Sequence, residues 1–276
     1  MNISIPKLFH FVFGLQKQTE PFHLMHYLCI ESCFQVNSPD AIFFYYHYEP
    51  YGHYWELARR RVTPVKVDLT DFLSHFHYGF RNRTCKKYSY AHHADFIRLE
   101  KLIDCGGIYA DIDTLFVNTI PDHLFTKSFV LGREDDVICQ TTGQKRASLC
   151  NAFIMSEKGS DFARLWHSQM QEAFNGSWSN HSTLLPQKLS EEHPDLIHIE
   201  PVVTFYKYMW TREDIRRLLE ECEKNIDGVV SIHLWSHLWW SKKRRDFSDF
   251  HEGILTEEYV RTVDTTYNII ARNYLP

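Results

Sequence analysis

Ala91–Asp113 reads AHHADFIRLEKLIDCGGIYADID, and this stretch decides the fold. Its first part has helical spacing, with Ala94, Ile97 or Arg98, and Leu102 recurring about one turn apart, so Tyr90 to Asp104 is expected to be a helix. Gly106-Gly107 should end it, because glycine takes the left-handed conformation that closes a helix. Ile108-Tyr109-Ala110 then reads as a short strand, and Asp111-Ile112-Asp113 leaves its C-terminal end. A helix running through a glycine pair into a strand is half of a strand–helix–strand unit.

Outward from this segment the same alternation continues. Ile5 to Phe13 is a β-branched and aromatic run ending at Gly14, which predicts a buried first strand. A helix should follow, capped by Thr19, with Pro21 in its first turn and Phe22, Met25, Cys29, Cys33 and Val36 near one face, until Asn37-Ser38-Pro39-Asp40 stops it. Ala41–Tyr48 reads as a strand, Gly52–Arg61 as a short helix, Val65–Leu69 as a strand, and residues 70–90 as a loop or lid. Beyond the acidic pair, strands are expected at Phe129–Leu131, Asn151–Met155, Leu196–Ile199 and Gly228–Trp235. Helices are expected at Asp161–Phe174 and Arg212–Asn225, with one terminal helix over Thr256–Asn273. The pattern predicts an α/β fold with a mixed central sheet flanked by helices. With no repeat or linker, 1–276 is expected to be one domain: a nucleotide-binding half, 1–115, and an acceptor-side half, 116–276.

Composition narrows the function. At 44% apolar and 24% charged, the chain can bury a core without disulfide staples. A net charge of -5 argues against nucleic-acid binding, which needs a basic face. The runs Arg59-Arg60-Arg61 and Lys242-Lys243-Arg244-Arg245 are too short to reverse this; they read as solvated faces, the second allowing at most peripheral membrane contact. Seven cysteines without a CxxC pair indicate neither a disulfide framework nor a zinc knuckle, and favour a reducing compartment. The first residues lack the basic-then-apolar pattern of a signal peptide, so a cytoplasmic protein, with membrane association left open, is the expectation, and the Asn82, Asn175 and Asn180 sequons are read as chance.

The acidic pair carries the chemistry. Two Asp separated by one residue where a strand ends can converge on one divalent cation, and carboxylate oxygens suit Mg2+ or Mn2+. In open α/β sheets ligands bind beyond the carboxyl ends of strands, which is where Asp111 and Asp113 fall. Asp95 and Arg98 stand three apart on the preceding helix, close enough to pair or to share a ligand.

With Ile5-Pro6-Lys7-Leu8-Phe9-His10 before it and Ser231-Ile232-His233-Leu234-Trp235 after it, the stretch from Ala91 to Asp113 resembles glycosyltransferase family 32, the family with a DXD sugar-binding region. The resemblance implies a GT-A (Rossmann-like) nucleotide-sugar transferase fold, related to α-1,6-mannosyltransferases, α-1,4-galactosyltransferases and clostridial toxin glucosyltransferase domains. It implies a retaining transfer of a hexose from a nucleoside-diphosphate sugar, a UDP-sugar by preference, to a saccharide, lipid-linked or protein acceptor, with Mn2+ or Mg2+. Asp113 would bind the metal directly, Asp111 the metal and the donor ribose, and His233 the metal or the diphosphate. Asp95 and Arg98 would hold the transferred sugar, Tyr109 would lie near the donor, and Asn151 would help hold the sugar. Phe13 stands where the family often has Trp, so base stacking should be weaker. Trp239, Trp240 and the loop Gly176–His181 are further candidates for sugar contact.

Two other readings are weighed. Asp111-Ile112-Asp113-Thr114 also resembles the nucleophile motif of haloacid-dehalogenase-type phosphatases, with Glu134-Asp135-Asp136 as a second acidic group, although their nucleophile lies near the start of the chain. The third reading is a carbohydrate- or nucleotide-sugar-binding protein without turnover.

Overall fold

The computed structural model describes residues 4–69, 89–138 and 142–276. Eleven strands are formed among them: β1 (Leu8–Val12), β2 (Ala41–Tyr46), β3 (Thr63–Lys66), β4 (Gly107–Ala110), β5 (Thr114–Phe116), β6 (Phe129–Arg133), β7 (Val137–Ile138), β8 (Lys145–Arg146), β9 (Leu149–Ser156), β10 (His198–Glu200) and β11 (Ser231–His233). Seven of them make one mixed sheet in the order β10-β6-β9-β4-β1-β2-β3. β1, β2, β3 and β4 run parallel, and β9 is antiparallel to both β4 and β6. Strands from before and after residue 115 therefore share this sheet.

Both faces of the sheet are covered, which is why its strands read as nearly continuous apolar runs. Side chains alternate between the faces. Phe9, Phe11, Ile42, Phe44, Ile108 and Ala110 enter one core with α1 (Leu24–Asn37), while Val12, Tyr45, Tyr109 and Ile154 enter the other. That second core includes Phe96, Ile97, Leu99 and Leu102 of the helix α2 (Ser89–Cys105). The expected glycine stop holds: Gly106 has φ 69° and its N–H returns to Leu102 O at 2.8 Å. Gly107, at φ 115°, lies so close to β1 that a Cβ would collide with Leu8 O.

Several boundaries differ from the sequence reading. The first helix begins at Leu24, after Thr19 and Pro21, because the His23 imidazole accepts from Met25 N and caps it. The strand expected at Val65–Leu69 lies at Thr63–Lys66, and Arg212–Asn225 contracts to a helix over Arg212–Leu219. The single terminal helix is two, Glu257–Thr262 and Thr266–Ala271, because Thr265 adopts extended backbone and caps the second through Asn268 N. Of the expected loop Gly176–His181, Asn180 and His181 open a π-helical turn, Asn180–Leu184, which continues into a helix at Leu185–Glu192. Of the expected lid at 70–90, residues 70–88 lie outside the described residues and Ser89-Tyr90 open α2. Arg61 of the first basic run is held bidentately by Glu31. No helix among the described residues is long and apolar enough to cross a membrane.

Candidate active site

The turn between β4 and β5 is built by the chain itself: Thr114 N donates to Asp111 O at 2.9 Å, and Ile112 packs against the core. Asp111 continues the alternation of β4 and shares the face of Tyr109, which is the face covered by α2. There the Tyr109 hydroxyl donates to Asp111 Oδ1 at 2.5 Å, and Arg98 Nη2 lies 3.3 Å from the same oxygen. Asp113 falls on the far side of the turn, where a second, two-stranded sheet takes over. β11 pairs antiparallel with β5, setting His233 opposite Thr114, and Leu234 N donates to Asp113 O at 2.9 Å. Phe116 N, at the end of β5, donates to Ser32 Oγ of α1 at 3.0 Å, which anchors this pair to the main core.

The register brings His233 Nε2 to 3.0 Å from Asp113 Oδ1 and 3.6 Å from Asp111 Oδ2. One ligand atom each from Asp111, Asp113 and His233 lie within 4.8 Å of one another. Ser236 N donates to the remaining Asp113 oxygen, Oδ2, at 2.9 Å. The chain reaches that position through Trp235, a bulky residue held at φ 50°, a left-handed conformation costing about 1–2 kcal/mol. Its indole N–H donates to Tyr208 O at 2.9 Å, and its ring lies edge-on 4.1 Å from His233.

A second cluster supports the first from beneath. Arg98 is buried; its guanidinium lies 3.1 Å from Asp95 Oδ1, donates to Asn151 O at 2.6 Å and sits 4.4 Å from the centre of the Tyr109 ring. Asp95 is further held by Asn151 Nδ2 at 2.8 Å and by His181 Nε2 at 2.9 Å. His181 stands in the π-helical turn, where Leu184 N reaches back to Ser179 O; such turns recur at functional sites.

The electrostatics separate the two acids of the turn. Burial pushes the Asp113 carboxyl up, but His233 and the Ser236 N–H outweigh it and hold it far below the usual carboxylate range. Burial also pushes Asp111 up, and there Arg98 and His233 do not fully compensate, so its carboxyl stays above the usual range. His233, lowered by burial and raised more by Asp113 and Asp111, titrates above an ordinary imidazole. Two carboxylates and an imidazole that converge, one acid short of positive charge, fit a divalent cation such as Mn2+ or Mg2+.

Asp95, Arg98, Tyr109, Asp111, Asp113, Asn151 and His233 are thus brought into one connected group. Tyr109 is almost wholly buried and reaches the group through its hydroxyl bond to Asp111. Phe13 stands outside the group, packed on Phe22 and His26 at 5.4 and 4.7 Å between ring centres. His26 in turn stacks on Trp240 at 5.3 Å, while Trp239 is fully buried with its indole N–H on Leu234 O. Ser236 was missed, and His181 was named only as the end of the candidate loop Gly176–His181, without its bond to Asp95. Ser236 follows directly on the Ser231–Trp235 motif, so proximity could have pointed to it; nothing local marks His181 as a partner of Asp95.

Residues 25–131 match a family described as "Glycosyltransferase sugar-binding region containing DXD motif". The likeness is to this region, less than half of the length of the chain. The match includes Asp95, Arg98, Tyr109, Asp111 and Asp113, while Asn151, His181 and His233 lie beyond it. Glucan organizing enzyme 1 of Cryptococcus neoformans var. grubii is 30% identical over 244 residues, which is 86% of this chain; the chain spans 64% of the length of that relative. A galactosyltransferase, LgtC, solved with donor and acceptor sugar analogues, matches 98% of this chain and 96% of its own, with a TM-score of 0.50 at 13% identity. PaToxG glycosyltransferase is also similar, at 20% identity over 69% of this chain and 70% of its own, with a TM-score of 0.41. The LgtC likeness shows that the sheet and its flanking helices form the GT-A fold of glycosyltransferases. The match to the DXD region favours the transferase over the phosphatase reading, and Glu134, the first of the proposed second acidic group, is buried on Ser148 and is not one of the Asp111, Asp113 and His233 ligand group.

Proposed function

We propose that this chain is a divalent-cation-dependent glycosyltransferase that moves a hexose, with retention at the anomeric carbon, from a nucleoside-diphosphate sugar to a saccharide, lipid-linked or protein acceptor. A UDP-sugar is the preferred donor. The observation that carries the reading is the convergence of Asp111, Asp113 and His233 beyond the carboxyl end of β4. These three would hold the cation, and when bound it would supply Lewis-acid stabilisation to a departing diphosphate.

The remaining residues set position and charge. Arg98 spreads one buried positive charge between Asp95 and Asp111 and so fixes both carboxyl groups in place. Asp95, with donors on both oxygens, is a rigid acceptor; Oδ1 is taken up by Asn151 and Arg98, whereas Oδ2, with His181 alone on it, keeps a further lone pair for a sugar hydroxyl. Tyr109 fixes Asp111 from the second core. A preorganised array of this kind stabilises charge without reorganising during the reaction. Retention follows from the family resemblance, with the leaving diphosphate accepting the acceptor proton, so no protein base is assigned. On the acceptor side, Trp178 is 44% exposed and its ring lies 5.6 Å from His237, the residue after Ser236, where a flat apolar surface suits a sugar face.

The test is release of nucleoside diphosphate from a panel of nucleotide sugars, with Mn2+, with Mg2+ and with chelator, by the wild type and by Asp113→Asn. Cation-dependent turnover that falls at least a hundredfold in the variant is expected. Calorimetric donor binding with every donor left intact would establish a binding protein instead, and hydrolysis of a generic aryl phosphate would restore the phosphatase.

A further inference from the structure

A second set of metal-ligating side chains lies away from the DXD turn. We propose that His123, His198 and Glu200 form a binding site for Zn2+ or a similar borderline cation, clipping the turn Asp122–Thr126 to the edge strand β10.

His198 and Glu200 are two apart on β10 and so share one face of the strand. His198 Nε2 and Glu200 Oε1 are 2.7 Å apart, and the other carboxylate oxygen accepts from Thr204 Oγ1 at 2.9 Å. Ligating carboxylates characteristically carry such an outer hydrogen bond, which fixes their orientation. His123 comes from the short 3-10 turn Asp122–Thr126, its ring centre 6.5 Å from that of His198. One ligand atom from each of the three lies within 4.8 Å of the others. In a tetrahedral zinc site with bonds of about 2.0 Å, donors stand roughly 3.3 Å apart, so His198 and Glu200, now hydrogen-bonded at 2.7 Å, open slightly while His123 turns toward them. His123 is exposed, whereas His198 and Glu200 are partly buried and already held side by side.

The donor set chooses the ion. Two imidazoles and one carboxylate favour Zn2+, Ni2+ or Cu2+ over Mg2+ or Ca2+, the reverse of the two-carboxylate DXD group. The two groups are also separate in space. β10 is the outer edge of the sheet, three strand positions from β4, or roughly 14 Å at about 4.8 Å per strand. An edge strand of three residues has little pairing of its own, so a clip to the neighbouring turn gains stability there.

The test titrates Zn2+ into the metal-stripped full chain by calorimetry, with the melting temperature followed in parallel. One Zn2+ equivalent should disappear in His123→Asn, and affinity for it should fall at least tenfold in Glu200→Gln and His198→Ala, while Asp113→Asn keeps it. Mg2+ should not compete for it. Because His123 is exposed, its variant reads the site even if His198→Ala folds poorly. Unchanged Zn2+ stoichiometry and affinity in His123→Asn, or no saturable equivalent that survives Asp113→Asn, would overturn the proposal. The outcome does not depend on whether the chain transfers sugars.

Discussion

Arg98→Ala tests whether the buried cation holds the site together. In the wild type the guanidinium stands 3.1 Å from Asp95 and 3.3 Å from Asp111, with almost no exposure to water. Removing one partner of a buried ion pair leaves an uncompensated charge and costs about 3–5 kcal/mol. A chain of 276 residues, at about 2.1 cal/mol/K per residue, unfolds with an entropy of roughly 0.6 kcal/mol/K, so the melting temperature should fall by about 5–9 °C. The assay is calorimetric melting of metal-stripped wild type, Arg98→Ala and the double variant Arg98→Ala with Asp95→Asn. The double variant should regain part of the loss, because one of the stranded charges is gone. Added Mn2+ should raise the variant's melting temperature more than the wild type's, since a cation at Asp111 replaces the missing positive charge. A metal-stripped Arg98→Ala that melts within 1 °C of wild type, with no recovery in the double variant, would refute charge compensation as the role of Arg98.

Two further outcomes are expected. Burial pushes the Glu134 carboxyl up to about 7 from its ordinary 4.5, against the Ser148 and Cys150 hydrogen bonds that pull it down, so the folded state binds the proton more tightly than the unfolded chain. Its stabilising contribution is therefore complete below about pH 4.5 and is lost as the pH rises through about 7; between pH 5 and 8, Glu134→Gln should gain up to about 3 kcal/mol relative to wild type in denaturant titrations, and parallel pH profiles would exclude this. His181→Phe removes a donor from Asp95 and should lower kcat/KM for the donor about tenfold or more, with partial rescue by His181→Gln; full activity in His181→Phe would exclude a positioning role.

Much of the fold was legible because local chemistry and tertiary demand agree. The apolar runs of β1, β2 and β4 are those of strands covered on both faces, and Gly106 fits the left-handed closure that ends α2. Two of the misread boundaries have a common origin in side-chain capping. His23 and Thr265 start helices by accepting backbone N–H groups, and His is a weak capping signal while Thr265 sits inside an otherwise helical pattern. The π-helical turn at Asn180–Leu184 is set by its seat against α2 and the helix Asp161–Ala173, with Trp166 Nε1 donating to His181 O, and no local spacing encodes it.

The amino-acid sequence by itself determined the α/β alternation, the acidic turn at the end of β4 and the pairing of Asp95 with Arg98, since each rests on neighbours within a few residues. The placement of His233 on Asp113, of His181 and Asn151 on Asp95, and of Ser236 N on the second acid was decided only by the tertiary structure. These contacts join residues 120, 86, 56 and 123 positions apart. They exist because β11 pairs with β5 in one register and β9 lies beside β4, and strand register is fixed by which faces are buried, a property of the assembled sheet.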